Sequence, residues 1–549
     1  MTPTDKRLIE DYIPIKAISA EASREKSIRH GHISTLHLWW ARRPLVASRA
    51  AVFAALVPEG KTQEEKAKLN ELMIRLCKWK VDQDTLDEAR AHITAAYPDG
   101  PPKVLDMFAG GGAIPLEALR LGCEAYALDL NPVAHIIELA TLVYPQKYGP
   151  QLAEDVRKWG EWVLERVRAE VGDLYPLIPD PAYTPEKAEE DANLPTQPRL
   201  LPPTEGEQLS FDDVQHDGPP DNRTADVPPG YLQPVAYLWT RTVTCPNPAC
   251  GAAVPLVRQT WLKKKKGDNV ALEMKPHPTE NRMAFHVRYA EKPEGFGFDP
   301  AEHSKRGHSV CGHCGTTVNN NYVKEQGRNN QINTQPIAIA CVRPKTPGKA
   351  YLSPDDIDLP IPNEDFINEK ISALEESTGI TPPYEKLVDD PRNIWIYQYG
   401  FSRWKDIFTP RQLLALLTFT KHVRSAYQEM IDNSVDKEYA KALTTYLGVI
   451  LSRLTDFCSS LCVLYADGGR GVTRVFVRQS LPMVWDFAET NPFNPAAASW
   501  QASMAKSLDA LRTIETSTSS ANVIRSSATL IPIEDQYLDA VITDPLSFA

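Results

Sequence analysis

The chain has 549 residues, 24% of them charged, and a formal net charge of −11. This length suits roughly two to four domains. The sequence contains no run of about 18 apolar residues, which predicts that no segment spans a membrane. Its first residues lack the apolar stretch of a signal peptide, so we expect a cytoplasmic protein. In that setting nine cysteines indicate thiols or metal ligands rather than disulfides.

The negative charge is unevenly distributed. Residues 180–226 contain 12 acids and 3 bases, a net charge of −9, so the rest of the chain carries about −2. This stretch is rich in proline and poor in aliphatic residues, which predicts a disordered acidic linker at 176–230. The overall acidity is therefore weak evidence against a nucleic-acid partner.

An aromatic and basic segment occupies residues 37–45. Pro44 suits the first turn of a helix, so Arg42 and Arg43 would stand just before a helix N-terminus. Such a position suits a phosphate of DNA or a carboxylate of a cofactor. The two tryptophans of the segment could equally be core residues.

Residues 104–132 have the order strand, glycine loop, helix, strand. The apolar run at 104–107 predicts a buried parallel strand. The three glycines at 110–112 allow a tight turn and a close approach of a ligand to the backbone. The second strand ends at Asp129, at the sheet edge where ligands of open α/β sheets bind, and its carboxylate suits ribose hydroxyls.

Two details distinguish this loop from a dinucleotide-binding loop. The glycine spacing differs from Gly-x-Gly-x-x-Gly, and Asp106 precedes the loop. An acid there would repel a pyrophosphate but suits the cationic end of S-adenosylmethionine. The arrangement of Asp106, Phe108, Gly110 and Gly112 resembles the cofactor loop of DNA amino-methyltransferases. A purely structural glycine turn is the alternative.

Two cysteine pairs, Cys245 with Cys250 and Cys311 with Cys314, lie in turns rich in glycine and proline. Four thiolates suit a closed, structural, tetrahedral Zn²⁺ site. The 60 residues between the pairs would have to form β-hairpins, which residues 270–290 could supply. Four unrelated reduced cysteines are the alternative.

Two further features flank these cysteines. His308 and His313 are near enough in sequence to act as ligands, although the cysteines are better candidates. Lys263 and Lys264 belong to a run of four lysines. Such a run is either a solvated loop or a set of contacts to DNA phosphates.

The motif nearest the C-terminal end of the sequence begins with Asp544 and Pro545. It follows an apolar run at 540–543 that predicts a buried strand. Amino-methyltransferases carry Asp-Pro-Pro-Tyr or a close relative at such a position. There the carboxylate and a carbonyl accept hydrogen bonds from the exocyclic amine of the target base, and the aromatic residue stacks on the flipped base. Here the second proline and the aromatic residue are absent from their places, which leads us to expect a truncated copy.

The chain as a whole resembles the adenine-specific DNA methylases of bacteria and archaea that contain a zinc ribbon. The matching stretches are residues 28–45, 104–132, 237–251, 408–414, 476–493 and 539–545. The order of cofactor loop, long insert and catalytic motif is that of the α group of amino-methyltransferases. The resemblance implies a Rossmann-like α/β methyltransferase sheet, incomplete at its C-terminal end, with an inserted zinc-ribbon β domain and a helical region.

The resemblance and the composition together predict six regions. These are a helical N-terminal segment (1–100), a cofactor-binding part (101–175), the acidic linker (176–230), a zinc-ribbon insert for target recognition (231–350), a helical region (351–500) and the start of the catalytic part (501–549). Within them we expect Thr409 to cap a helix that begins with Pro410, a second helix at 437–464, and a structural turn at 491–493.

The resemblance implies methylation of adenine N6 in duplex DNA with S-adenosylmethionine as cofactor and Zn²⁺ as a structural ion. Cytosine N4 methylation uses the same geometry and stays open. So do two other possibilities: a fragment that binds DNA or cofactor without turnover, and half of a split enzyme completed by a second polypeptide.

Overall fold

The computed structural model describes residues 6–28, 31–184, 227–301, 308–344, 346–357, 361–467, 471–514 and 519–544. Most of the linker expected at 176–230 lies outside the described residues, and so does Pro545. Everything below concerns the described part of the chain.

Helices occur from the N-terminus to the last fifty residues. In chain order, α1 to α14 are Leu8–Asp11, Ile15–Glu25, Leu45–Leu56, Gln63–Leu76, Gln83–Ala96, Ala113–Arg120, Pro132–Glu138, Tyr144–Tyr148, Gln151–Val171, Asn320–Arg328, Glu364–Thr378, Pro410–Asp432, Lys437–Thr455 and Trp500–Thr513. A π-helical turn, Leu139–Val143, joins α7 to α8.

The strands are mostly short, apart from two long ones in the middle of the chain. In chain order, β1 to β17 are Lys103–Asp106, Glu124–Asp129, Ile178–Pro179, Tyr231–Thr244, Ala253–Pro255, Trp261–Lys263, Asn269–Pro276, Met283–Ala290, Ser309–Val310, Thr317–Val318, Asn333–Arg343, Thr346–Leu352, Leu464–Tyr465, Gly471–Val472, Asp486–Thr490, Asn522–Arg525 and Ala540–Val541.

The described residues form two compact units, one from residues 1–162, 424–450 and 504–549, and the other from 163–423 and 451–503. The first unit contains a four-stranded parallel sheet in the order β16-β2-β1-β17. The buried side chains of β1 and β2 explain their central places, since a parallel strand is covered on both faces. Helices α3 to α6 contribute to the main apolar core of this unit.

The strand that carries the C-terminal motif is shorter and less buried than the sequence predicted. β17 contains only two residues, and Val541 is 50% exposed. Backbone and side-chain contacts nevertheless fix it against β1: Lys103 N donates to Asp539 Oδ2 at 2.8 Å, and Ile542 N donates to the Leu105 carbonyl at 2.9 Å. These long-range bonds place a segment that the apolar pattern alone would not hold.

The second unit is built around antiparallel sheets. Its largest sheet has the order β12-β11-β4-β15, with β3 and β5 also paired to β4. The hairpin predicted at 270–290 is present as β7 and β8, which pair along their whole length and join β6 in a three-stranded sheet. The molecule is therefore a mixed α/β protein with several sheets, one of them parallel.

Three local predictions can be compared directly with these elements. Thr409 does cap α12, because its hydroxyl accepts from Gln412 N at 3.1 Å. The second long helix ends at Thr455, nine residues before the predicted end. The residues before the turn at 491–493 form a largely buried strand, β15, although polar and apolar residues are mixed in it. The free-energy cost of burying the polar residues of β15 is offset by their partners. Arg411, for example, forms an ion pair with Glu489 at 2.8 Å.

Among the described residues, no helix combines the length and the apolar character needed to cross a lipid bilayer.

Candidate ligand and metal sites

The glycine loop lies between β1 and α6 and is held by Asp129. Gly110 and Gly112 have φ of +54° and +78°, which favours glycine at both positions. Asp129 Oδ2 accepts a hydrogen bond from Gly110 N at 3.0 Å, and its Oδ1 accepts from Asn131 N at 2.8 Å. A carboxylate has about four lone-pair sites, so Asp129 retains acceptor capacity for the hydroxyls of a ligand.

Asp106 ends β1 and is only 3% exposed. Its Oδ1 accepts hydrogen bonds from Phe108 N at 3.1 Å and from Thr543 Oγ1 at 2.8 Å. Burial raises the pKa of Asp106 to about 6, the two hydrogen bonds oppose that rise, and the charge of Asp129 adds to it. The negative charge of Asp129, at the end of β2, therefore influences the carboxyl group of Asp106, at the end of β1. The sequence order predicted only that the two acids share a sheet edge.

Asp544 lies immediately after Thr543 and therefore close to Asp106 in the fold. Its carboxylate forms an ion pair with the Arg43 guanidinium. Both side chains are partly accessible, at 44% for Arg43 and 36% for Asp544. The structure thus brings a residue expected to contact DNA or cofactor into contact with the residue expected to orient the target amine.

Trp39 lies against the glycine loop. A Cβ atom added to Gly110 would be 2.5 Å from the Trp39 Nε1, and one added to Gly111 would be 3.8 Å from the same ring. The indole therefore requires a glycine at position 110 in addition to the requirement set by φ. Phe108, beside this loop, is 37% exposed. Trp40 is 45% exposed, so it is not a core residue.

The N-terminus of α3 corrects one expectation. Arg42 and Arg43 do precede this helix, but its first amides already have an anionic partner: Glu25 accepts hydrogen bonds from Leu45 N at 2.7 Å and from Val46 N at 3.1 Å. Glu25 itself is 4% exposed. The positive end of the helix is thus neutralised by the chain's own carboxylate, and a phosphate would find these amides occupied.

A third acid, Glu138, faces the same region from the last residue of α7. Its side chain is fully buried, and among the described residues neither of its carboxyl oxygens has a hydrogen-bond partner. Burial raises the pKa of Glu138 to about 9, with further contributions from Asp129 and Asp106. Glu138 was not predicted from the sequence, because a single acid at the end of a short helix looks like a surface residue.

The four predicted cysteines converge in the second unit. Their Sγ atoms all lie within 4.8 Å of one another. Cys245 and Cys314 are separated by 3.6 Å between sulfurs, and Cys250 and Cys311 by 3.8 Å. A tetrahedral ion with Zn–S bonds of about 2.3 Å requires sulfurs about 3.8 Å apart. The donor set and its spacing therefore fit a metal ion such as Zn²⁺.

Two turns hold these cysteines. The first lies between β4 and β5, and the second lies in the β9–β10 hairpin. A glycine follows the second cysteine of each pair. Gly251 has a φ of +61°, and Gly315 has a φ of +74°. Gly315 N donates to the Cys311 carbonyl at 2.9 Å, which closes the second turn.

The neighbouring histidines and lysines have other partners. His313 Nε2 lies 3.1 Å from the Arg282 carbonyl, and His308 is exposed outside the four-cysteine group. Lys263 is paired with Asp268, and Lys264 lies 3.8 Å from Asp467 and over the Trp261 ring. The two lysines chosen from the sequence are therefore engaged within the chain.

Comparison with known proteins adds little to this geometry. The profile of a family described as a protein of unknown function (DUF1156) matches residues 12–76. No curated protein and no solved structure matched the chain. The matched stretch contains Glu25, Trp39, Arg42 and Arg43, so it covers the N-terminal side of the loop site but neither the strands that carry the acids nor the cysteines.

Proposed function

We propose that the protein is an S-adenosylmethionine-dependent DNA amino-methyltransferase that methylates adenine N6, with cytosine N4 as the other chemically equivalent target. The observation that carries the proposal is the placement of Asp106, Asp129 and Asp544. Asp106 and Asp129 are the last residues of β1 and β2, and Asp544 follows the neighbouring parallel strand β17, so all three lie at one edge of one sheet. That edge is where open α/β sheets bind ligands.

The loop residues suit the proposed cofactor. Asp129 keeps acceptor sites for the ribose hydroxyls, and Gly110 and Gly112 leave the backbone accessible to a close ligand. Asp106 places negative charge where a cationic ligand would be stabilised. We therefore interpret the four-stranded parallel sheet as the core of a Rossmann-like methyltransferase domain.

When bound, S-adenosylmethionine would supply the methyl group that the amine nitrogen takes up, with S-adenosylhomocysteine and one proton as the other products. Asp544 would accept a hydrogen bond from the exocyclic amine of the flipped base and so direct its lone pair. Thr543 fixes the backbone beside Asp544 through its bond to Asp106. Pro545, the other residue assigned to this step, lies outside the described residues.

The four-cysteine cluster supports a zinc ribbon as a second element of the proposal. Two short turns supply two sulfurs each, and the apolar residues around them form a small core of their own. A structural ion would fix these turns. We assign this part to contact with duplex DNA, where exposed lysines such as Lys265 and Lys266 could meet phosphates.

The proposal is tested by incubating the chain with duplex DNA and methyl-labelled S-adenosylmethionine, then separating the methylated nucleosides by mass spectrometry. We expect N6-methyladenine, and a loss of about 100-fold or more in D544N. Asp535→Asn changes an exposed acid of the same segment and should leave the rate unchanged. Cofactor binding without any labelled nucleoside would refute catalysis, and no cofactor binding would refute the whole proposal.

The Arg43–Asp544 ion pair favours a second candidate, a protein that binds cofactor and DNA without transfer. An arginine that holds the carboxylate competes with the target amine for the same oxygens. Arg43→Ala distinguishes the two: an increase in methyl transfer would mean that the pair inhibits an enzyme. Unchanged absence of transfer, together with retained DNA binding, would favour the binding protein.

A further inference from the structure

Glu138 is a buried ionisable group near the proposed cofactor site. It is 0% exposed, and neither carboxyl oxygen has a hydrogen-bond partner among the described residues. Buried polar groups are almost always hydrogen-bonded, and each exception in a native structure needs a cause. A ligand that is absent from the structure is one such cause.

The local backbone gives a second observation. Glu138 is the last residue of α7, and the π-helical turn Leu139–Val143 follows at once. Single π-helical turns inside helices frequently occur at functional sites. Within that turn, Thr141 is also fully buried, and its Oγ1 also lacks a hydrogen-bond partner in the described part of the chain. Two neighbouring buried side chains thus present unused polar atoms.

The position of this face relates it to the glycine loop. A Cβ atom added to Gly112 would meet the Leu142 side chain at 3.3 Å, so the π-helical turn packs directly on the loop. In the described part of the chain, the charged groups that act on Glu138 are the two acids Asp106 and Asp129, and both raise its pKa. The cations Arg525 and Lys441 act instead on His135, which lies one turn earlier in α7.

We propose that Glu138 is a direct binding residue for the cationic part of the cofactor and completes a three-acid pocket with Asp106 and Asp129. This inference rests on the proposed function, because it takes S-adenosylmethionine as the ligand. Its sulfonium and its ammonium each carry a positive charge that would stabilise three converging carboxyls. Thr141 Oγ1 would serve the same ligand as a neutral hydrogen-bond partner.

A binding role and a structural role for Glu138 predict opposite results. Since Glu138 has no hydrogen-bond partner among the described residues, Glu138→Gln should fold with a melting temperature at or above that of the wild type. A structural acid would instead lower it. Binding should weaken at least tenfold for S-adenosylmethionine, because an amide cannot supply the negative charge.

The experiment is calorimetric titration of the wild type, E138Q and E124Q with S-adenosylmethionine and with S-adenosylhomocysteine, whose sulfur is neutral. Glu124 lies at the other end of β2, so E124Q is a matched control that should bind as the wild type does. A larger loss in E138Q for the sulfonium form places Glu138 at the sulfur. An equal loss for both ligands places it at the ammonium, and either result supports the proposal.

Wild-type affinity in E138Q would overturn the role of Glu138 while leaving the cofactor assignment intact. If the wild type binds neither ligand, the proposed function fails and this inference fails with it. If E138Q does not fold, Glu138→Met replaces the acid by an apolar side chain of similar length. A folded E138M with unchanged affinity would overturn the proposal in the same way.

Discussion

The four-cysteine cluster and the proposed three-acid pocket are built in different ways. Each cysteine pair is close in sequence, and its turn is fixed by a local glycine such as Gly315. The acids come from β1, β2 and α7, and the segment of Asp544 joins them from the far end of the chain. A site built from local turns can be recognised in the sequence as a motif. A site assembled by sheet topology can be recognised there only in part.

The first and largest effect should follow loss of the metal site. Cys250→Ser should abolish stoichiometric zinc and lower the stability of the second unit by on the order of 5 kcal/mol or more, because metal binding and folding are coupled. Zinc content by mass spectrometry and chemical unfolding measure both. Cys77→Ala alters a buried cysteine elsewhere and should retain one zinc. Full stability of C250S without zinc would mean that the cluster is not structural.

The second effect concerns stability and pH in the acid pocket. The pKa of Glu138 is raised to about 9 in the folded chain. The unfolded chain therefore releases this proton at lower pH, and the wild type loses stability as the pH rises from the ordinary pKa of a glutamate towards 9. E138Q removes this loss and should be more stable by on the order of 2–3 kcal/mol at pH 7. Urea unfolding at pH 5, 7 and 9 should show an advantage that grows with pH. An advantage that is constant with pH would contradict a buried, protonated Glu138.

The third effect sharpens the role of the loop glycines. Gly110→Ala puts a side chain at φ +54° and 2.5 Å from Trp39 Nε1, so cofactor affinity should fall about tenfold, the equivalent of about 1.4 kcal/mol. Gly111→Ala is the matched control, because its nearest contact would be an ordinary 3.8 Å. Trp39→Ala combined with G110A should recover part of the loss in calorimetric titration. Equal effects of the two glycine variants would argue against the loop geometry.

The smallest effect near neutral pH concerns Asp106. Its pKa is about 6 in the folded chain, so the affinity for a cationic cofactor should be about half as high at pH 6 as at pH 8. Below pH 6 the affinity should fall about tenfold for each pH unit. Titration across this range in the wild type measures the slope. Asp106→Asn should bind weakly and without this dependence. A wild-type affinity that is flat between pH 5 and 8 would exclude the Asp106 carboxylate from cation binding.

The sequence was sufficient where chemistry and structure are local. The order of β1, glycine loop, α6 and β2 follows from apolar runs and glycines within thirty residues, and the hairpin of β7 and β8 from the length of chain between the cysteine pairs. The convergence of the four sulfurs follows from ligand type and turn composition. In these places one short stretch of sequence determines one local structure.

It was insufficient where distant segments decide the outcome. No strand was predicted at β15, because Asp486 and Glu489 break its apolar pattern, and their partners Thr240 and Arg411 offset the cost of burying them. Arg43 and Asp544 were placed in separate roles, and no local pattern indicates that they would meet. Glu138 belongs to no motif, and it stands out only because it is buried without a hydrogen-bond partner in the described part of the chain.

The parallel sheet of the first unit has a consequence for how the chain is made. Lys103 and Asp539, which bond across β1 and β17, are 436 residues apart. At about 5–20 residues per second, a ribosome needs about 20–90 s between completing β1 and completing its outer neighbour. During that time β1 has an unpaired edge, which is a template for aggregation. The nascent polypeptide should therefore depend on chaperones more than a protein whose neighbouring strands are synthesised in succession.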